Sequence, residues 1–251
     1  MDLGIEGRTA LVLGASRGIG RGIATSLARE GARVAIASRT PESLAKAVAE
    51  IEGEVQAFGA ETGNLEHLAG VPAEIEKRMG GPIDILVTNT GGPPHGGALD
   101  NELGEWQAAY TSLVLAPQVL ISAVVPGMRA RRWGRIVNVG SSATRQPIPE
   151  LNLSNVHRAA AVGFFKTLAG ELAADGITVN TVATGMFATE RLADSDGSLD
   201  AAHEVARKTV PAGRLGNPAE YGDLVAFLCS ERAAYLTGAV IPLDGGLVRS
   251  I

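Results

Sequence analysis

The chain has 251 residues and a formal charge of −5, and its 22 Lys and Arg are scattered among 27 Asp and Glu, so nothing in it forms an electrostatic footprint for nucleic acid. One cysteine, Cys229, excludes an intramolecular disulfide and a cysteine-based metal cluster, and no metal site is expected. The length suits one large α/β domain, and no linker, charge block or internal repeat divides it, so a single domain over 1–251 is expected.

The amino terminus, MDLGIEGRTA, lacks the basic start and apolar run of a signal peptide, which points to the cytoplasm. RTALVLG then predicts a first strand, followed by the helix IGRGIATSLAREG, which stops on Gly31. RVAIAS is the second strand and PESLAKAVAEIEG the second helix, with Pro41 near its first turn. EVQAFG is the third strand, and a helix follows across 64–80. IDILVTN is the fourth strand, and a long helical region runs from Glu102 to Met128. Its segment SLVLAPQVLISAVVPGM is apolar, but two prolines and its shortness argue against a membrane span. GRIVNVG is the fifth strand, leading to the helix that contains SNVHRAAAVGFFKTLAGEL. ITVNTVA is the sixth strand and AVIPLDGG holds the last. Cys229 falls in the apolar helical run LVAFLCS, which reads as a buried structural thiol. Strands alternating with helices predict a parallel, doubly wound sheet covered on both faces, with its ligand at the carboxyl ends of the strands.

LVLGASRGIG places Gly14, Gly18 and Gly20 between a strand and a helix, with Ser16, Arg17 and Ile19 among them. Glycines there let backbone approach a pyrophosphate, and the helix amino end adds N–H groups and a positive dipole. The same glycines would also serve a simple tight turn; the strand–turn–helix context favours the phosphate. An enzyme reading a free ribose 2′-hydroxyl usually carries a carboxylate about twenty residues on. This chain offers Ser38, Arg39 and Thr40 instead, and Arg17 lies in the glycine loop. Two guanidiniums gripping a 2′-phosphate would select NADP(H), whereas two solvated arginines at loop edges would select nothing.

Together with TNTGG at 88–92, GRIVNVGSS at 134–142, VNTVATGMFATE at 179–190 and the stretch VPAGRLGNPAEYGDLVAFLCSERAAYLTGAVIPLDGGL, these motifs resemble the short-chain dehydrogenase/reductase family, in particular its 3-oxoacyl-acyl-carrier-protein reductases. The resemblance covers nearly the whole chain. It implies a single Rossmann-type domain with a seven-stranded parallel sheet, a substrate lid at about 187–214, and a homotetramer or homodimer. By the same resemblance Gly14, Gly18, Gly20, Asn89, Gly91, Gly185 and Thr189 line the cofactor. Glu61 takes the place of an aspartate that holds the adenine, and Thr184 replaces a proline.

The family's catalytic group is Asn, Ser, Tyr and Lys. Counting back from KTLAGEL puts the lysine place at Arg158 and the tyrosine place at Ser154, and counting forward from Ser141 also reaches Ser154. Counting back from Pro126 puts the asparagine place at Leu113, so only Ser141 keeps its type. A serine is far less acidic than a tyrosine, and an arginine does not readily release a proton. Ser154 and Arg158 are i and i+4, so they share one helix face. His95, in GGPPHGG after the fourth strand, is a candidate acid/base; His157, Glu150 and Tyr110 are weaker ones, and Tyr110 reads as core. Three functions remain open. The leading one is an NADP(H)-dependent oxidoreductase interconverting a ketone and a secondary alcohol with atypical proton transfer, acting on a small carbonyl or alcohol substrate, with Ser141, Ser154, Arg158 and His95 at the reacting end and Arg158 also holding the cofactor ribose. The second is a disarmed NADP(H)-binding protein acting as sensor or oligomer partner. The third is a non-redox lyase or isomerase in which the nicotinamide is structural or absent.

Overall fold

A computed structural model describes residues 1–250. Seven strands form one all-parallel sheet: β1 (Thr9–Leu13), β2 (Arg33–Ser38), β3 (Val55–Gly59), β4 (Ile83–Thr88), β5 (Gly134–Val139), β6 (Ile177–Thr184) and β7 (Val240–Leu243), in spatial order 3-2-1-4-5-6-7. The central strands β1, β4 and β5 are buried along their whole length, as a sheet covered on both faces requires. Alternation then sorts their side chains: Ala10 and Val12 join one core, Leu11 and Leu13 the other.

The first core is closed by α1 (Gly18–Arg29), α2 (Pro41–Glu50) and α9 (Pro218–Leu228), through Ile23, Leu27, Leu44 and Val225. The second is closed by α3 (Leu65–Met79), α5 (Ala116–Arg131) and α6 (Asn152–Leu172), through Leu68, Ile75, Leu120, Val124 and Phe165. Cys229 is buried at the end of α9, as its apolar setting suggested, and burial pushes its thiol up to about 12. The order of strands reverses at β1, which sits between β2 and β4, so the loops after β1 and β4 open a crevice at that switch point.

The long helical region predicted over Glu102 to Met128 is interrupted. A helix α4 (Leu103–Tyr110) passes into a single wide turn at Thr111–Leu115, where Ala116 N–H reaches back five residues to Thr111 O, and α5 then runs to Arg131. Pro117, in the first turn of α5, has no N–H to give, which is where a regular ladder would fail. The run Leu103–Arg131 is long and apolar enough to cross a membrane, but its inner side is core, with Leu120, Val124 and Met128 buried against the sheet. Two short helices, α7 (Glu190–Asp196) and α8 (Leu199–Thr209), lie between β6 and α9 and occupy the segment read as a lid.

Candidate active site

The glycine loop follows β1 directly. Gly14 (φ 62°) and Gly18 (φ 55°) take left-handed backbone that side chains resist. Gly20 is required for a different reason: a Cβ there would lie 2.6 Å from Asn89 Nδ2, and closer still to Gly14 O. Asn89, just past β4, donates from Nδ2 to Gly14 O at 3.1 Å, so the loops after β1 and β4 are locked together at the switch point. Helix α1 opens with no side-chain cap and no acid in its first turn, which leaves N–H groups around Gly18, Ile19 and Gly20 for an anion. A Cβ on Gly91 would meet nothing within 4 Å, so that glycine faces open space. These features fit a dinucleotide pyrophosphate.

At the end of β2, Ser38 Oγ lies 3.2 Å from Ser16 Oγ, tying the strand to the glycine loop, and Arg39 is exposed beside it. No carboxylate stands at the end of β2. Glu61 is exposed beyond β3 and its carbonyl accepts from Asn64 N–H. Arg17 points elsewhere: its Nη1 is 2.7 Å from Glu190 Oε2, a pairing across 173 residues that the sequence did not suggest.

Ser141 follows β5. Its Oγ accepts from Ala143 N–H at 3.1 Å, which leaves its own O–H to be donated outward. Arg158 reaches from α6 to β5, where Nη1 donates to Val139 O at 2.8 Å, so its guanidinium sits at the same strand end as Ser141. Burial lowers the Arg158 pKa to about 10; Tyr221 opposes the fall and the charge of Arg191 adds to it. Arg158 is therefore still a cation at neutral pH. Ser154, one turn earlier on the same face, is buried. Leu113 is buried in the wide turn before α5.

The weaker proton candidates sort clearly. His157 is buried, with Nδ1 2.7 Å from Leu153 O and its ring against Trp106 and Tyr110, so it belongs to the packing between α4 and α6. Tyr110 is 46% exposed, not core as its helical spacing suggested: its ring meets His157 at the rim of the α4–α6 packing and stays half in solvent. Tyr221 is fully buried and hydrogen-bonded to Thr184 Oγ1 at 2.9 Å, and burial drives its pKa above the usual tyrosine range. Glu150 holds a left-handed φ of 58°, and its carbonyl accepts Gly96 N–H at 2.8 Å. Asn152 N–H in turn donates to Gly96 O at 3.3 Å, so the exposed loop bearing His95 is stitched to the start of α6.

Beyond β6, Gly185 is forced by packing, since a Cβ there would lie 2.5 Å from Asp244 Cα. Thr189 caps α7 by accepting Leu192 N–H, and its methyl would touch a Cβ on Gly18 at 3.3 Å. The start of α7 is thereby seated on the glycine loop. Sequence reasoning missed Arg191, whose Nη2 donates to Pro93 O at 3.3 Å on the opposite lip. The doubled glycine of TNTGG was the available signal: a Cβ on Gly92 would lie 2.6 Å from Arg191 Cζ.

Known proteins resemble this chain in sequence and fold. A family model described as enoyl-(acyl carrier protein) reductase matches residues 14–248. The 3-oxoacyl-[acyl-carrier-protein] reductase of Vibrio cholerae is 38% identical over 247 residues, spanning 98% of this chain and 99% of that protein. L-sorbose reductase from Gluconobacter frateurii, solved with NADPH and L-sorbose, superposes with a TM-score of 0.93 at 32% identity, covering all of both chains. YwfH, an NADPH-dependent reductase involved in bacilysin biosynthesis, superposes with a TM-score of 0.91 at 29% identity over 98% of this chain and 100% of its own.

Proposed function

The chain belongs to the short-chain dehydrogenase/reductase family, and on that premise we propose that it is an NADP(H)-dependent oxidoreductase, similar to 3-oxoacyl reductases, interconverting a small ketone and a secondary alcohol. The observation that carries this reading is the juxtaposition at one end of the sheet: an uncapped α1 beside a glycine cradle, and a serine–arginine pair at the end of β5. Gly14, Ser16, Gly18, Ile19, Gly20, Asn89 and Gly91 would hold the dinucleotide, with Gly185 and Thr189 on the lid side. Ser38 and Arg39, with Arg17 once released from Glu190, would take the 2′-phosphate, and Glu61 would lie toward the adenine. When bound, the nicotinamide supplies the hydride chemistry.

The chain's own residues would do the rest. Ser141 donates its hydroxyl hydrogen to the substrate oxygen, its lone pair being already engaged by Ala143 N–H. Arg158, in the place of the family's lysine, stays charged and stabilises the negative oxygen through space. Ser154, in the tyrosine place, is limited to hydrogen bonding. His95 is the proton donor in this scheme, on a loop fixed to the start of α6. The protein works in the cytoplasm as one dinucleotide-binding domain, with its lid at about 187–214. It assembles as a homotetramer or homodimer, for which exposed Val156, Tyr110, Phe227 and Tyr235 offer apolar surface.

Titration of NADPH and, in parallel, NADH by fluorescence tests the reading. Tight NADPH with weak NADH binding is expected; binding of neither would overturn it. One observation favours a second reading, a cofactor-binding protein without turnover: the tyrosine that senses Arg158's charge, Tyr221, has committed its hydroxyl to Thr184. Strong ketone reduction by Ser154→Tyr/Arg158→Lys, against none by the native protein, would establish that alternative.

A further inference from the structure

Arg191 stands where electrostatics disfavours it. It occupies the first turn of α7, the positive end of the helix dipole. Arg17 and Arg158 both lie within range of its charge. Glu190, its neighbour, is already paired with Arg17 at 2.7 Å, and the charge of Asp194 does not outweigh the burial of Arg191 and the nearby Arg17. Although the residue as a whole is exposed, its guanidinium is spread over Gly92 and makes one long hydrogen bond, to Pro93 O at 3.3 Å. The side chain therefore bridges the mouth of the cleft from lid to opposite lip, with most of its donors unused among the described residues. A cation kept at a cleft mouth against like charges, over a glycine that makes room for it, is suited to a bound anion.

We propose that Arg191 is the substrate-carboxylate receptor, so that the ketone reduced at Ser141 is an oxo acid. The inference rests on the oxidoreductase reading above and names its substrate class. A carboxylate can take two parallel N–H bonds from the Arg191 fork. Arg158, at the floor of the cleft, then faces the carbonyl end of the same molecule. Pro93, whose carbonyl holds Arg191 in the free protein, would lose that bond as the carboxylate arrives.

The other anion that could reach Arg191 is the cofactor's own pyrophosphate, and the experiment separates the two. A panel of short 2-oxo and 3-oxo acids, each with its methyl ester, is added to the NADPH-saturated protein, and quenching of NADPH fluorescence and its oxidation are followed. At least one acid should outperform its ester by about tenfold or more in kcat/KM or in affinity, the worth of a charge-assisted pair. Arg191→Met should erase that preference through KM while changing the Kd of NADPH less than about twofold, and Arg191→Lys should restore part of it. Equal or better performance by the esters, or no response to any acid, overturns the proposal. Loss of NADPH affinity in Arg191→Met also overturns it and assigns the arginine to the cofactor. Failure of the native protein to bind NADPH is a distinct result, which removes the oxidoreductase reading itself.

Discussion

Replacing Gly20 by alanine sets helix propensity against packing, and the structure decides the sign. Alanine in a helix is favoured over glycine by about 1 kcal/mol. At Gly20, however, the new methyl would sit 2.6 Å from Asn89 Nδ2 and even nearer to the Gly14 carbonyl, which is backbone and cannot swing aside. Overpacking of this kind costs about 1–3 kcal/mol, and breaking the Asn89 bond to Gly14 O adds about 0.5–1.5 kcal/mol. The net expectation is a destabilisation of about 1–3 kcal/mol, or about 3–10 °C in Tm for a chain of this size. Urea unfolding read through Trp106 and Trp133 would measure it, with NADPH affinity falling in the same variant as the loop N–H groups shift. Gly70→Ala is the control: Gly70 lies in α3 with nothing within 4 Å of the added methyl, so that change should stabilise by about 0.5–1 kcal/mol. If Gly20→Ala were as stable as the native protein and bound NADPH equally, the locked-loop account of the cradle would be wrong.

Two further outcomes follow from buried or paired groups. Tyr221 should ionise above the usual tyrosine range in a spectrophotometric titration, and Tyr221→Phe should abolish that late step while costing about 1–2 kcal/mol, since Thr184 Oγ1 loses its partner. Glu220 is held down to about 2, first by its hydrogen bonds from Arg214 and then by Asn217 N–H. Because its folded pKa lies below the unfolded value, its contribution is present above about pH 4.5 and is lost as pH falls toward 2. Tm measured over that window should fall less steeply in Glu220→Gln, and only modestly so because the pair is solvent-screened.

The alternation of strands and helices was legible because period-2 and period-3.6 patterns are local, and the seven strands predicted are the seven found. The interruption of the long helix was harder to see. Pro117 marked it, but a proline in a first turn is equally compatible with a fresh helix start, and only the reach of Ala116 N–H to Thr111 O reveals the wide turn. Tyr110, which spacing reads as core, is 46% exposed, and His157, an acid/base candidate by type, is buried against Trp106: a helix period says which residues share a side, not how deeply a neighbouring helix covers it.

The sequence by itself determined the sheet, the glycine cradle and the absence of a carboxylate after β2, since each depends on residue type at fixed short spacing. It also determined that Ser154 and Arg158 share a helix face. Only the tertiary structure decided what those residues touch. Gly20 is glycine because Asn89, from a strand distant in sequence, packs on it; Arg17 is latched to Glu190 and Arg158 is anchored to Val139 O. Arg191 acquires meaning only when α7 brings it across Gly92 and Pro93. Such contacts join segments that neither propensity nor periodicity relates, because they arise when the sheet brings the carboxyl ends of its strands to one edge.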